Sequence, residues 1–211
     1  MKQKIPIHFT LLLLSAASLS HGAINHRPTD GRPGDEQIWD IANTIRIAEL
    51  DGAPLLYGVA TDDSHTYHGG DVRPGRGWIM VKATALEGDA IVHAMRAGDF
   101  YSSSGVTIKS ESYDQASRTW EIEIATDGEA KFTTELIGAR SGYDATAELG
   151  KSGIGEVFQS VEGTTVKFVI PEDALFARVA ITSDQAHLDP SFPNQKKQAW
   201  LQPIRIAADQ P

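Results

Sequence analysis

Cysteine is absent from the 211 residues. That excludes disulfides, thiolate zinc sites and cysteine nucleophiles. Any metal would have to be held by His, Asp or Glu, a donor set that suits zinc, manganese or iron. Basic runs are also missing: no cluster exceeds a dipeptide, and the formal net charge is −9. Nucleic acid is therefore not an expected partner, because nothing would displace counterions from a phosphate backbone. A small anionic substrate stays open, since a bound metal can invert a local field. Beyond residue 22 no apolar run approaches the roughly 20 residues of a membrane span. Internal repeats and low-complexity segments are lacking too. What is present is 41% apolar residues, four Trp, 19 Gly and 10 Pro. These describe a folded, turn-rich protein of one or two domains.

Residues 1–22 read as a secretory signal. Lys2 and Lys4 give the positive start, Ile7 to Ala17 the apolar stretch, and Ser18, Ser20 and Gly22 the cleavage region. The mature chain is expected in the periplasm or outside the cell, with no membrane attachment once the signal is removed.

Residues 24–34 form a loop with two Pro and two Gly. Asp35 can cap a helix that follows, with Ile38, Ile41, Ala42, Ile45 and Ala48 on one face and Asp51-Gly52 at its end. Pro54 to Ala60 is a nearly continuous apolar run, as in a strand buried on both faces of a parallel sheet. Gly77–Thr84 predicts a strand, Leu86–Gly98 a helix and Asp99–Ser103 a short strand. After about residue 105 the rhythm changes. Strands are expected at 107–113, 119–126, 131–137, 164–170, 177–182 and 200–206, separated by turn signals such as Asp127-Gly128 and Glu162-Gly163. This predicts α/β followed by all-β: residues 23–104, then a β-sandwich over residues 105–211.

The stretch Thr61-Asp62-Asp63-Ser64-His65-Thr66-Tyr67-His68 follows the apolar run directly. It is either a polar turn or one corner of a metal site. On an extended segment Asp63 and His65 point to the same side, a reasonable ligand pair for a divalent cation. Asp62 would face away or support those ligands by hydrogen bonds. His68 could reach the same place, while loop exposure is the plainer reading for it and for Tyr67. Arg73 and Arg76 could bind a phosphate or carboxylate, or pair with an acid of the chain itself. Trp39 and Trp78 read as core residues, and His93 and His187 carry no assigned chemistry. Ser102, Ser103 and Ser104 lack a local base, so a serine hydrolase is not expected.

The runs WDIANTIRIAEL, LLYGVATDDSHTYH, PGRGWIMVKA and GDFYSSSGV, in that order, resemble the later part of the polymerase and histidinol phosphatase superfamily. The closing segment ITSDQAHLDPSFPNQKKQAWLQPI is similar to that of its secreted branch with a C-terminal β-sandwich. The resemblance covers residues 25 to 206. It implies a partial (β/α) barrel fragment over residues 23–104, divalent metal (zinc, manganese or iron), and hydrolysis of a small phosphate ester or other ester. It matches Asp63 and His65 to a metal-ligating Asp-x-His pair, and His26 to a loop near the metals. The other metal motifs of that family have no counterpart here. The resemblance therefore implies a truncated copy without a complete metal centre, a miscalled start, or a partner chain that completes the barrel. The alternative expectation is a non-catalytic secreted binding or interaction module built on the β domain.

Overall fold

Every strand pair in the structure, a computed structural model, is antiparallel. The structure describes residues 28, 32–50, 52–62, 64, 73–148 and 150–206. Its elements run α1 (Asp35–Glu49), β1 (Trp78–Val81), α2 (Gly88–Ala97), β2 (Phe100–Ser103), β3 (Ile108–Asp114), β4 (Thr119–Ile124) and β5 (Phe132–Arg140). They continue with β6 (Ile154–Glu162), β7 (Thr165–Val169), β8 (Ala174–Ala186), β9 (Lys196–Leu201) and β10 (Ile204–Arg205). A seven-stranded sheet has the order β1-β2-β9-β8-β5-β6, with β10 also on β8, and a three-stranded sheet has the order β3-β4-β7.

Alternation sorts the side chains of the large sheet onto two faces. Leu136 of β5, Val179 and Ile181 of β8, and Ala199 and Leu201 of β9 turn toward Trp120, Ile122, Val166 and Phe168 of the small sheet and form one core with them. On the opposite face Ile137, Ala180 and Trp200 pack against Trp39 of α1 and Leu56. The layers are thus small sheet, large sheet and helix.

This corrects the expected fold class. The partial barrel followed by a self-contained sandwich is replaced by an open seven-stranded sheet, which takes β1 and β2 from before residue 105 and the rest from after it. The reason for β1 and β2 lies at the end of α2. Gly98 adopts φ 83°, and its N–H returns to the carbonyls of Ala94 and Met95. The chain reverses at once, and the Lys82 N–H donates to the Asp99 carbonyl at 2.8 Å. The strand after α2 therefore starts beside the end of β1, and α2 is an insertion within a hairpin instead of a parallel crossover.

The run Pro54–Ala60 joins no strand ladder over residues 53–59. It lies extended, and side chains satisfy its peptide groups. The Leu56 N–H donates to Asn43 Oδ1 at 2.8 Å, and the Leu56 carbonyl accepts from Asn43 Nδ2 at 3.2 Å and Trp39 Nε1 at 2.8 Å. Gly58 exchanges two bonds of 2.8 Å with the Gln202 amide, and Ser102 Oγ bridges the Gly58 carbonyl and the Ala60 N–H. Buried peptide groups need such partners, and here two amides and a hydroxyl stand in for a neighbouring strand.

Helix α1 is placed as expected but turned over. Its fully buried residues are Trp39, Asp40, Asn43 and Thr44, while Ile38, Ile45 and Ala48 are exposed. An ion pair fixes this orientation. Arg178, in the middle of β8, forks onto Asp40 through Nε (2.6 Å) and Nη2 (2.8 Å), and its Nη1 donates to Glu36 at 3.0 Å. Its guanidinium also stacks 5.0 Å from the Trp39 ring centroid. Burial works against the Arg178 charge, but the Asp40 and Glu36 carboxylates outweigh it and hold the guanidinium above its ordinary range. Burial pushes the Asp40 carboxyl up, with Arg178 pulling against that shift.

Candidate functional site

Residues 73–77 make the first site, beginning with a tight turn. Gly75, at φ 97°, follows Pro74, a pairing that fits the second and third positions of a type II turn. The turn aims two successive peptide groups at one carboxylate. Asp62 Oδ1 accepts from the N–H of Arg76 at 2.7 Å and of Gly77 at 2.9 Å. The Arg76 side chain runs the other way, with Nε and Nη2 forking onto Asp189 at 2.9 and 3.3 Å. His187, buried, closes the ring. Its Nε2 lies 2.9 Å from the Arg76 carbonyl, and its Nδ1 accepts the Asp189 N–H at 3.1 Å. With Nδ1 accepting, the ring proton sits on Nε2 and is donated to the Arg76 carbonyl. The Arg76 hydrogen bond, aided by the charges of Arg76 and Arg73, outweighs the smaller opposing effect of burial and holds the Asp189 carboxyl below the usual Asp range.

These four side chains tie three remote segments together. Asp62 is engaged by backbone amides and Arg76 by a carboxylate, so of the two readings open for Arg76 the structure takes pairing with an acid of the chain. Asp63, His65, His68 and His26 lie outside the described residues. Among the described residues no three His, Asp or Glu side chains come together to hold a metal ion. Asp189 and His187 were not legible as partners of Arg76, being 113 and 111 positions away in the chain. The only local hint is the HLDP loop, where a turn-forming Asp-Pro follows the His.

The second site is a groove on the outer face of the large sheet, beyond the part that α1 covers. Its volume is about 790 Å³, and its lining includes Thr133, Glu135, Glu162, Thr182, Lys131 and Lys196. Register explains the grouping. Glu162 stands opposite Thr133, and Thr133 opposite Thr182, which is opposite Gln198. These polar side chains form a row across four strands, and Gln198 Nε2 donates to Thr182 Oγ1 at 3.1 Å. Neighbouring strands are about 4.8 Å apart, so the row is roughly 14 Å wide. Glu135 and Glu162 make no ion pair among the described residues. Lys196 Nζ caps the end of the groove by donating to the Asp184 carbonyl at 2.6 Å. The face offers hydroxyls, carboxylates and ammonium groups along a shallow trough, a surface suited to a polar, extended ligand.

No family model, curated protein or solved structure matches the chain. Together with an open antiparallel sheet where a barrel was implied, this overturns the resemblance to the polymerase and histidinol phosphatase superfamily. Asp62, the one described member of the acid-histidine cluster, serves a turn, and the described residues hold no metal-binding group that would support the metal-binding description taken from that resemblance. Among the described residues no helix is long and apolar enough to cross a membrane.

Proposed function

We propose that this chain is a non-catalytic binding module, exported from the cytoplasm, in which the two-sheet body presents the polar groove as its contact surface. One observation carries the reading: among the described residues, the face of the large sheet beyond α1 carries a row of carboxylate, hydroxyl and amide groups, Glu162–Thr133–Thr182–Gln198, of which the first three line the groove. The polar groups at the other site support it as well. Asp62, Arg76, His187 and Asp189 complete one another's hydrogen bonds, so they hold a loop in place instead of facing a reactant. The groove sits on rigid paired strands, which suits recognition with little ordering cost on binding.

The test is a pair of measurements on the purified chain. Arrays of oligosaccharides and polar peptides are probed with the wild type and with Thr133→Trp, which fills the trough from an outward-facing strand position. Retention of at least one ligand by the wild type and its loss in the variant is the expected result. Turnover of a generic phosphomonoester with added manganese or zinc is measured alongside. Turnover that disappears in Asp63→Ala would overturn the reading.

A further inference from the structure

The charged groups of the groove are sorted along its length. Side chains alternate along β5 and the residue before it: Lys131, Thr133 and Glu135 line the groove, while Phe132 and Leu136 enter the core. Lys131 is held at the outer end. Its N–H donates to Asp184 Oδ1 at 3.0 Å, and its carbonyl accepts the Asp184 N–H at 2.9 Å. Lys196 lines the same end, so two ammonium groups stand there against the one Asp184 carboxylate, which already accepts the Lys131 N–H. Thr133 and Thr182 follow, with Glu162 level with them. Glu135 closes the inner end, opposite Ala180, which packs against Trp39 of α1. On the small sheet, by contrast, Lys109 pairs with Glu123 and Lys167 with Glu121. Among the described residues Lys131, Glu135 and Glu162 join no such pair.

Resting on the groove as the contact surface, we infer that its ligand is a short peptide with both termini free. The peptide carboxylate lies at Lys131 and Lys196, and the amino group at Glu135 and Glu162. Lys131 and Glu135 are four positions apart, roughly 13 Å along an extended strand. An extended peptide covers about 3.3–3.6 Å per residue, so about three or four residues span that distance. The hydroxyls between the two ends suit the peptide groups of such a chain. Thr182 Oγ1 accepts from Gln198 Nε2, which leaves its O–H free to donate to a ligand carbonyl. The Thr133 hydroxyl can donate or accept. A neutral oligosaccharide would leave both charged ends without a counter-charge. A polymer of one sign would meet its own sign at one end, and like charges brought together weigh against a wrong ligand. Only a ligand with opposite charges at its two ends matches the whole trough.

The purified chain is titrated with triserine and tetraserine, each free, N-acetylated or C-amidated. Binding is read from NMR amide shifts at low salt, where exposed charges are least screened. The free peptides are expected to bind, and each cap to weaken binding about tenfold, the scale of one charge-assisted hydrogen bond. Two variants then assign the ends. In Lys131→Met the penalty for amidation is expected to shrink while that for acetylation stays. In Glu135→Gln the reverse is expected. An unchanged circular dichroism spectrum checks that both variants fold. Capped and free peptides that bind equally overturn the inference, as do penalties that both variants change alike. An oligosaccharide that binds and is lost in Thr133→Trp, with no binding of either peptide, also overturns it but keeps the groove as the contact surface. Failure of every peptide and sugar overturns the inference together with the reading it rests on.

Discussion

Asn43 pairs with Leu56 as one strand pairs with the next: the side-chain amide both accepts from the Leu56 N–H (2.8 Å) and donates to its carbonyl (3.2 Å). Asn43 is fully buried, so each atom of that amide depends on this contact. Asn43→Ala leaves the Leu56 N–H buried without its acceptor and opens a small cavity. The expected loss is about 2–3 kcal/mol of unfolding free energy. Urea denaturation of the variant measures it, and a loss within about 0.5 kcal/mol, the range of an ordinary surface change, would refute the role given to this residue.

The Arg178–Asp40 pair gives a larger effect. Removing one partner of a buried ion pair costs about 3–5 kcal/mol, because the other charge is left uncompensated. Arg178→Met is expected to fall in that range. Adding Asp40→Leu and Glu36→Gln to it should recover part of the loss, since no buried charge then remains. A triple variant no more stable than Arg178→Met would show that packing, not charge, governs this site.

Thr134 is fully buried on the core side of β5, and its Oγ1 has no hydrogen-bond partner among the described residues. Val keeps the shape and removes the orphaned hydroxyl. Thr134→Val is expected to stabilise the fold by about 1 kcal/mol, visible as a higher melting temperature. A lower one would mean that the hydroxyl is satisfied in solution.

The loop held by Asp189 should respond to acid. Its carboxyl is held below the usual range, chiefly by the Arg76 hydrogen bond. A carboxyl lowered in the folded state adds stability above its unfolded value, about 4. That contribution fades as pH falls through the lower folded value. Hydrogen exchange at the Arg76, Gly77 and Asp189 amides is therefore expected to speed up below about pH 4, beyond the intrinsic pH trend, in the wild type. Asp189→Asn should show the faster opening at neutral pH and little further change on acidification. Equal protection in both proteins at neutral pH would count against the clasp.

Much of the local structure was legible. Alternation and turn residues located β3, β4, β5 and β7 to within three residues at every end. Strand β6 was not anticipated, and its pairing shows why. Opposite β5 it carries an extra residue at Phe158 and again at Gly155 (φ 67°). Each bulge breaks the two-residue period, so Ile154, Val157, Phe158 and Val161 do not alternate in sequence. Of the site, Asp62 and Arg76 were singled out, as the metal-adjacent acid and as an anion contact or ion-pair partner. The partners of Arg76 were hidden because they lie more than a hundred positions away, and those of Asp62 because they are peptide N–H groups 14 and 15 positions on, which leave no side-chain pattern to read.

Composition and local pattern alone determined that the chain has no thiol chemistry, that it carries a net acidic charge, and where most helices and strands begin. Those properties depend on residue type and on neighbours a few positions apart. Strand direction, the face α1 turns inward and the partners of Arg76 were decided only by the tertiary structure. Each rests on groups brought together from distant parts of the chain: Lys82 with Asp99, Asp40 with Arg178, and Arg76 with Asp189. A buried charge or peptide group must find its complement wherever the fold supplies one, and for α1 that demand outweighed the apolar stripe.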